Sequence, residues 1–491
     1  MTVLDEFRKW LETPDLPGAL RADLIGETAT VDGPYGRKPL IYADYVASGR
    51  ALRQVETLIL EKVLPYYANS HTQASYCGAF MTLLREELRA EIARITGAGD
   101  GMSVIFAGAG STAGLNRIVM LLDIPNVLAS GQRAVVLVGP YEHHSNLLPW
   151  RESGAEVIEI AEAPEGGPVL GALESALRDA QGAGLIVGAF GAASNVTGII
   201  TDDVAVTRLL KRHGALAVWD YGCAAPYLPM RMNSGTDAEK DAVVFSTHKF
   251  PGGPGASGVM ILRDAIARRR TPTLPGGGTV SFVSPWGHIY SDRLQDREEG
   301  GTPNVIGDIR AGLVLMIKEA LGDEWLAARQ DDLRARALAV WSRNPNLELL
   351  GARGARALPI FSFLVRDGRG GRVRHQLFTR LLSDLHGVQA RGGCACAGSY
   401  AHRLLGLGRN ASQDVLDAIL AHAETEKPGW VRLNLSALMS DEKASLVIDA
   451  VDSLARNATD YVGDYVADHA HARFHPKAGE KGQRAANSVA P

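Results

Sequence analysis

The chain has 491 residues, and its 51 basic and 55 acidic side chains give a formal charge of −4, with no excess that would favour nucleic acid or an anionic membrane. Four cysteines are too few for a disulfide framework, and they lack a second pair at zinc-site spacing, so no metal site is predicted. Without a secretory leader pattern or a long apolar stretch, the sequence predicts a cytoplasmic protein of about two to four domains.

Short β-rich runs alternate with helical stretches between residues 104 and 262. This alternation is typical of the α/β class, in which helices cover a mainly parallel sheet. Ligands of such open sheets bind beyond the carboxyl ends of the strands. The predicted strands are Val104–Ala107, Ala134–Val138, Glu156–Ile160, Leu185–Phe190, Leu216–Trp219, Ala242–Phe245 and Gly258–Leu262.

A smaller α+β domain is predicted after this sheet. Its expected elements are connecting helices over Ile309–Leu321 and Glu324–Trp341, strands near Ala357–Val365 and Val431–Leu435, and helices near Arg372–His386 and Asp441–Leu454. The predicted organisation is an N-terminal segment over 1–40, a large domain over 41–305, the connecting helix with the small domain over 306–466, and a disordered tail over 467–491.

Polar residues follow two of the predicted strands where a ligand is expected. The glycine-rich loop from Gly108 to Gly114 opens a helix, and its backbone N–H groups and the hydroxyls of Ser111 and Thr112 suit a phosphate. The loop lacks the lysine of a P-loop, and a plain tight turn is the alternative. His143 lies in the turn after the next strand, where an imidazole can stack on an aromatic ring.

Lys249 follows the strand Ala242–Phe245 and precedes a glycine-rich turn. A primary amine in this place can hold pyridoxal 5'-phosphate as a Schiff base and move protons, although an isolated lysine would be read as a surface residue. Asp220 closes the preceding predicted strand. Its carboxylate can pair with a pyridine nitrogen, and a helix-capping aspartate is the alternative.

Together these motifs resemble the class V aminotransferase family, and within it the cysteine desulfurase and selenocysteine lyase branch, over roughly Tyr42 to Leu454. The resemblance implies the fold type I of pyridoxal phosphate-dependent transferases, with a mainly parallel seven-stranded sheet in the large domain and a smaller C-terminal α+β domain. It implies that Lys249 carries the cofactor, that Asp220 pairs with its ring nitrogen and that His143 stacks on the ring. The other implied cofactor contacts are Ser111, Thr112, Asn195, Ser246, His248 and Thr302.

The resemblance also implies substrate contacts and a homodimer. Arg432 lies in a segment similar to the family's Arg-x-x-x-Ser strand, whose arginine binds the substrate α-carboxylate, and a surface arginine is the alternative. Asn195 is implied to contact the substrate as well as the cofactor. His71 resembles a histidine that reaches the partner subunit's site, and Thr302 resembles a threonine lent to the partner's phosphate site.

Cysteines mark both the expected nucleophile and the departures from the family pattern. Cys396 lies in a glycine-rich loop where desulfurases carry the nucleophilic cysteine, and a structural cysteine is the alternative. Cys223 replaces a glutamine that usually donates to the cofactor's phenolic oxygen, and a thiol is a poorer donor. Cys394 is an additional thiol, either tolerated by the neighbouring glycines or active in redox or relay chemistry.

The predicted activity is that of a cysteine desulfurase, which converts L-cysteine to L-alanine, leaves a persulfide on Cys396 and passes the sulfur to an acceptor protein. One alternative is a pyridoxal phosphate-dependent C–S lyase, epimerase or aminotransferase acting on another amino acid, with a structural cysteine loop. Another alternative is a pyridoxal phosphate-binding protein without catalysis that carries sulfur or regulates. Neither a nucleic-acid partner nor a membrane partner is expected.

Overall fold

The computed structural model describes residues 3–70, 72–352 and 354–477, and the chain divides into two compact units. The first unit contains the chain up to residue 19 with residues 48–194 and 200–325, and the second contains residues 20–47, 195–199 and the chain from residue 326.

Helices and strands are interspersed along most of the described chain. In chain order, the helices are α1 Val3–Leu11, α2 Leu16–Asp23, α3 Arg53–Leu58, α4 Tyr76–Thr96, α5 Gly110–Leu121, α6 Ile124–Ala129, α7 Leu148–Glu152, α8 Leu170–Asp179, α9 Asp203–Arg212, α10 Leu294–Glu298, α11 Val305–Leu321, α12 Asp323–Trp341, α13 His375–His386, α14 Gly398–Leu404, α15 Arg409–Leu420 and α16 Asp441–Asn457. The strands are β1 Thr30–Val31, β2 Lys38–Pro39, β3 Ile41–Tyr42, β4 Met102–Gly108, β5 Ala134–Val138, β6 Glu156–Glu159, β7 Leu185–Gly191, β8 Leu216–Asp220, β9 Ala242–Ser246, β10 Gly258–Arg263, β11 Val280–Ser284, β12 Gly287–Tyr290, β13 Leu347–Leu349, β14 Ile360–Arg366, β15 Arg372–Val373, β16 Val388–Gln389, β17 Arg391–Gly393, β18 Trp430–Asn434, β19 Tyr465–Asp468 and β20 Arg473–Pro476.

A seven-stranded sheet forms the centre of the first unit, with the strand order β4-β10-β9-β8-β7-β5-β6. Strand β10 is antiparallel to both of its neighbours, and the other pairs are parallel. Strands β5 and β9 are buried along their whole length because continuous runs of Val, Ala, Leu and Phe are covered on both faces. The seven predicted strands are therefore confirmed, with ends that differ by at most two residues.

The first unit extends beyond the predicted boundary at residue 305. Helix α11 belongs to this unit, and most of its side chains are buried. A Cβ built on Gly312 would lie 2.7 Å from Leu88 in α4, so glycine permits the two helices to approach closely. This packing explains why the helix predicted as a connection is part of the first unit's core.

The second unit is built on an antiparallel sheet with the order β13-β14-β18-β17, to which β15 adds beside β14. Its core is rich in aromatic side chains, and the rings of Trp341 and Phe361 meet edge to face with centroids 4.9 Å apart. Strand β3 joins this unit by pairing in parallel with β16. The smaller α+β domain is thus present, and it also recruits residues 20–47 and 195–199 from earlier in the chain.

A hairpin occupies the first part of the segment 467–491, which the sequence predicts as a disordered tail. Strands β19 and β20 form a hairpin that extends to Pro476. Tyr465 is buried and its hydroxyl donates to Asp384 Oδ2 at 2.7 Å, while Phe474 packs against the unit's core. Two anchoring aromatic residues therefore order a segment whose composition alone suggests none, and residues 478–491 lie outside the described part of the chain.

Within the described residues, we find no helix that is both long enough and apolar enough to span a membrane. The same residues contain no cluster of three or more His, Cys, Asp and Glu side chains arranged to hold a metal ion.

Candidate functional site

The glycine-rich loop after β4 is joined directly to the end of β9. The Ser111 N–H donates to Ser246 Oγ at 2.9 Å, and the two serine hydroxyls are 2.7 Å apart. Gly110 begins α5 with φ of 61°, and a Cβ at this position would lie 3.0 Å from Ser246 Oγ and 3.4 Å from the His248 ring. The hydroxyls and imidazole predicted to bind a phosphate therefore converge at the N-terminus of a 12-residue helix.

His143 is held by its own turn after β5. The Ser145 N–H donates to His143 Nδ1 at 3.1 Å, and Ser145 Oγ lies 3.0 Å from the same nitrogen. The Ser145 hydroxyl in turn lies 2.7 Å from Thr112 Oγ1 on the first turn of α5. Because Nδ1 accepts from the backbone, the neutral ring carries its proton on Nε2, and its orientation is tied to the glycine-rich loop.

Asp220 and Lys249 form the electrostatic centre of the first unit's site. Asp220 is only 9% exposed at the end of β8, and its Oδ1 accepts a hydrogen bond from the Gly222 N–H at 2.7 Å. Burial raises the pKa of Asp220, while the Gly222 N–H, the nearby positive charge of Lys249 and the Ser111 hydroxyl each act to lower it. The carboxylate is thus incompletely compensated by the protein, which suits an additional positively charged N–H donor.

These residues fit pyridoxal 5'-phosphate by the chemistry of their donor set. The cofactor requires an amine for its aldehyde, an acid for its ring nitrogen and a helix N-terminus with hydroxyls for its phosphate. Lys249, Asp220 and the pair Ser111 and Ser246 supply these groups within one unit. The incompletely compensated carboxylate of Asp220 is the feature that distinguishes this set from a simple anion site.

Gly222 forms part of the cradle around this carboxylate. A Cβ on Gly222 would lie 2.6 Å from Ser111 Oγ and 2.8 Å from Asp220 Oδ1, which is closer than packed atoms allow. We expect Gly222→Ala to displace both groups and to weaken pyridoxal 5'-phosphate binding to the apoprotein at least about 10-fold, or about 1.4 kcal/mol. An absorbance titration measures this affinity. Gly171→Ala is the control because a Cβ there meets nothing within 4 Å. Equal affinities in the two variants would contradict the claim that Gly222 leaves the space which Ser111 and Asp220 need to bind the cofactor.

Glu142 is a buried acid beside this site, and the sequence alone predicts no function for it. Its Oε1 accepts from the Gly191 N–H at 2.8 Å, and its Oε2 accepts from the Asn146 side chain, which accepts from Trp150 Nε1 at 3.1 Å. Burial, with the neighbouring charge of Asp220, raises the pKa of Glu142 to about 8. The network fixes the turn that carries His143, and the sequence signal was the acid directly before that histidine.

Cys223 is buried three residues after Asp220, and its thiol donates to the Ala193 carbonyl oxygen at 3.0 Å. The thiol is therefore engaged with the backbone on the neighbouring strand connection. Its predicted contact with the cofactor stays a prediction.

In the second unit, Arg432 is a buried cation with an unused donor. It is 4% exposed on β18, where Nη1 donates to the Asn195 carbonyl oxygen at 3.1 Å and Nη2 donates to Asp44 Oδ1 at 2.9 Å. Arg391 lies opposite Arg432 in the β17–β18 register, and its Nε donates to the other oxygen of Asp44 at 2.9 Å. Arg432 Nε is buried without a hydrogen-bond partner among the described residues. Two arginines sharing one carboxylate, one of them with an unpaired N–H, suit a second carboxylate.

Asn195 connects the arginine to the cysteine loop within the second unit. Its backbone oxygen accepts from Arg432, and its Nδ2 donates to the Ala395 carbonyl oxygen at 2.7 Å. Its Oδ1 is buried, and no hydrogen-bond partner for it occurs in the described part of the chain. An unpaired buried acceptor normally costs free energy, so this atom suits a donor on a ligand.

The cysteine loop has an unusual backbone. Ala395 and Cys396 have φ of 53° and 55°, and the Ala397 N–H donates to the Cys394 carbonyl oxygen at 3.2 Å to close a turn. A left-handed conformation costs a non-glycine residue roughly 1–2 kcal/mol, and such strain concentrates at functional sites. Cys396 is exposed at this turn, and Cys394 is half-buried.

The remaining predicted site residues are Thr302 and His71. Thr302 is exposed in the segment before α11, where another molecule can reach it. His71 lies outside the described residues, so its predicted substrate contact has no structural description.

Comparison with known proteins gives a consistent result. Residues 41–426 match the family model described as Aminotransferase class-V. A probable cysteine desulfurase of Halalkalibacterium halodurans is 25% identical over 75% of this chain and 86% of its own length, and the cysteine desulfurase of Klebsiella pneumoniae is 28% identical over 77% and 88%. The apo structure of a cysteine desulfurase from Thermococcus onnurineus superimposes with a TM-score of 0.70 at 23% identity, covering 85% of this chain and 95% of that one. The predicted fold type is therefore confirmed.

Proposed function

Because the chain belongs to the class V aminotransferase family, we propose that it is a pyridoxal 5'-phosphate-dependent cysteine desulfurase that converts L-cysteine to L-alanine and holds the sulfur as a persulfide on Cys396. The relatives that are 25% and 28% identical to this chain over the aligned residues carry the names probable cysteine desulfurase and cysteine desulfurase. The observation that carries the proposal is the exposed Cys396 on a strained turn. Asn195 links this turn to Arg432, because its side chain donates to the Ala395 carbonyl oxygen and its own carbonyl oxygen accepts from Arg432.

The cofactor would be held by residues of the first unit. Bound pyridoxal 5'-phosphate supplies an electrophilic carbon for the substrate amine and a ring that accepts electrons from the α-carbon. Lys249 would hold its aldehyde carbon, and the Asp220 carboxylate would accept a hydrogen bond from the ring nitrogen and favour its protonated form. His143 would pack on the ring. Phosphate contacts would come from Ser111, Thr112, Ser246 and His248, and a ring-oxygen contact from Cys223.

Substrate orientation and proton transfer are the tasks of three side chains. Arg432 would bind the α-carboxylate of L-cysteine through its unpaired Nε and a neighbouring N–H. Asn195 Oδ1 would accept a hydrogen bond from the substrate side of the site. The Lys249 amine would remove the α-proton of the bound substrate as a general base and later return a proton to carbon.

Cys396 would perform the sulfur transfer. Its thiolate attacks the substrate sulfur, so an S–S bond forms and the bond between the substrate sulfur and its β-carbon breaks. The electron pair of that bond stays with the carbon skeleton, which gains protons and leaves as L-alanine. The enzyme keeps the sulfur as a persulfide, and the exposure of Cys396 supports delivery to an acceptor protein.

An exposed apolar hairpin supports the predicted homodimer. Strands β11 and β12 present Phe282, Val283 and Ile289 on the surface, and Trp286 in the turn between them is 92% exposed. Patches of this kind are typical of protein interfaces. The Gly301 N–H donates to Gly277 O at 2.8 Å, which brings the segment of Thr302 beside the chain that enters this hairpin. A dimer built on this surface would place Thr302 near a second subunit, as the predicted phosphate contact requires.

Replacing Cys396 with serine tests the activity. We expect Cys396→Ser to keep the absorbance of the bound cofactor but to form L-alanine from L-cysteine about 100-fold more slowly, with no protein persulfide, because a hydroxyl cannot accept sulfane sulfur. Product analysis and mass spectrometry of the intact protein measure both effects. Cys77→Ser is the matched control because it removes a half-buried thiol from α4, outside the proposed site.

Other products would assign other chemistry. Pyruvate with ammonia would identify a C–S lyase, and a keto acid or an inverted amino acid would identify an aminotransferase or an epimerase. Unchanged L-alanine formation by Cys396→Ser would contradict the proposed role of this cysteine.

A further inference from the structure

Cys394 and Cys396 occupy one hydrogen-bonded turn of the second unit. The Cys394 carbonyl oxygen accepts from the Ala397 N–H at 3.2 Å, and both central residues, Ala395 and Cys396, have positive φ. For non-glycine residues, φ near 53° permits essentially only the left-handed helical conformation.

This conformation determines how far apart the two cysteines are. Helical geometry places Cα atoms two residues apart at about 5.4 Å, whereas an extended chain would place them at about 6.6–7.2 Å. Disulfides usually join Cα atoms separated by about 4.4–6.8 Å, with a mode near 5.5–6 Å. The turn therefore places the two Cα atoms within the range of separations that disulfides span.

The backbone of this turn is strained at Ala395 and Cys396. Turns with two successive positive φ values strongly favour glycine and asparagine, yet this one has alanine and cysteine, at a cost of roughly 1–2 kcal/mol each. Asn195 Nδ2 binds the Ala395 carbonyl oxygen at 2.7 Å and so helps to maintain the conformation. These contacts keep both cysteines in one defined backbone turn.

We propose that Cys394 is a second catalytic residue, a resolving thiol that attacks the persulfide on Cys396. This inference rests on the proposed desulfurase function. The Cys394 thiolate bonds to the Sγ of Cys396, the bond from that Sγ to the terminal sulfur breaks, and the terminal sulfur leaves as hydrosulfide with the electron pair. The sulfane sulfur is reduced to sulfide, and the two cysteines are oxidised to a disulfide, so atoms and electrons balance.

This reaction has two consequences for turnover. The enzyme releases inorganic sulfide without an acceptor protein, and it stops after one turnover with a Cys394–Cys396 disulfide. A thiol reductant then restores the two thiols by exchange, which makes continued activity dependent on the supply of reducing thiols. An acceptor that takes the sulfur before Cys394 attacks would divert the persulfide from this route.

A single-turnover experiment on the cofactor-loaded full chain tests the resolving thiol. Enzyme reduced with dithiothreitol and freed of it by gel filtration is mixed anaerobically with excess L-cysteine, which is then removed rapidly. L-Alanine, sulfide and the intact protein mass are measured, and peptide mapping locates any disulfide. The wild type is expected to release about one sulfide per L-alanine and to lose the mass of two hydrogens, with Cys394 linked to Cys396.

Cys394→Ser is expected to form L-alanine in the same first turnover but to retain the sulfur as a persulfide, with sulfide release at least about 10-fold slower. Cys394→Ala tests whether the serine hydroxyl matters, and Cys77→Ser should behave as the wild type. L-cysteine itself can reduce the disulfide, so the first time points decide the comparison.

The outcomes separate the two proposals. If neither the wild type nor any variant makes L-alanine, the proposed desulfurase function is wrong, whether or not a disulfide forms. If L-alanine forms but the wild type keeps its persulfide and Cys394→Ser releases sulfide equally fast, the resolving role is overturned and the function stands. If sulfur is found on Cys394 without a disulfide, the residue relays the persulfide and the resolving role is overturned as well.

Discussion

Lys249→Ala is expected to lose turnover of L-cysteine by at least about 10³-fold, together with the visible absorbance of the bound cofactor. The amine has two tasks in the proposed reaction, since it holds the cofactor and transfers the α-proton, and alanine performs neither. Spectra of the purified variant and L-alanine formation measure the two losses separately. Its position directly after β9, where its positive charge acts on Asp220, is the structural reason for this expectation.

Lys318 is the competing amine in the first unit. Burial lowers its pKa to about 7, so a large fraction is the neutral, nucleophilic form at physiological pH. Its Nζ, however, donates to the Leu228 carbonyl oxygen from within α11, and the acid whose charge acts on it is Asp323 at the start of α12. The acid that acts on Lys249 is Asp220, which ends β8 in the central sheet. The lowered pKa alone would thus favour Lys318 as the lysine that holds the cofactor, whereas the position of the neighbouring acid favours Lys249.

Lys318→Met is the matched control because it replaces a buried amine with an apolar side chain of similar volume. It should keep the cofactor absorbance and the activity. Reduction of the holoenzyme with borohydride followed by peptide mapping should find the cofactor on Lys249. Recovery of the label on Lys318, or an active Lys249→Ala variant, would contradict the assignment.

The first unit could be predicted from sequence because its signals are local. Buried runs such as Ala242–Phe245 identify strands, and a polar residue directly after a strand in a parallel sheet lies at the ligand-binding edge. Lys249, Asp220 and Ser111 were predicted as site residues by this argument. Glu142 was not given a role because its function depends on burial and on hydrogen bonds from Gly191 and Asn146, which only the folded chain brings together.

The second unit was less predictable because its contacts join distant parts of the chain. Arg391 and Arg432 each donate to one oxygen of Asp44. The positions of these three residues in the sequence do not predict that they share this carboxylate. The positive φ of Cys396 was equally hidden, because turns of this type normally carry glycine or asparagine. The hairpin at Tyr465 was missed for a similar reason, since two aromatic anchors order it rather than a periodic pattern.

Arg432→Ala is expected to lower kcat/KM for L-cysteine by about 10³-fold, while leaving the cofactor absorbance unchanged. Removing one member of a buried, hydrogen-bonded charge pair typically costs about 2–5 kcal/mol. In the proposed site the substrate carboxylate loses its partner, and Asp44 keeps only Arg391. Steady-state kinetics of L-alanine formation measure the effect, and thermal unfolding separates it from loss of the fold.

Arg432→Lys gives a graded test of the same anchor. Lysine keeps the charge but offers a single point of contact instead of a planar fork, so we expect a loss of about 10- to 100-fold, mainly in KM. Arg366→Ala is the control, because this exposed arginine of the same sheet pairs only weakly, at 3.3 Å, with Glu348. If Arg432→Lys matched the wild type, or if Arg432→Ala lost the cofactor rather than substrate affinity, the arginine would be a structural partner of Asp44 and the carboxylate would bind elsewhere.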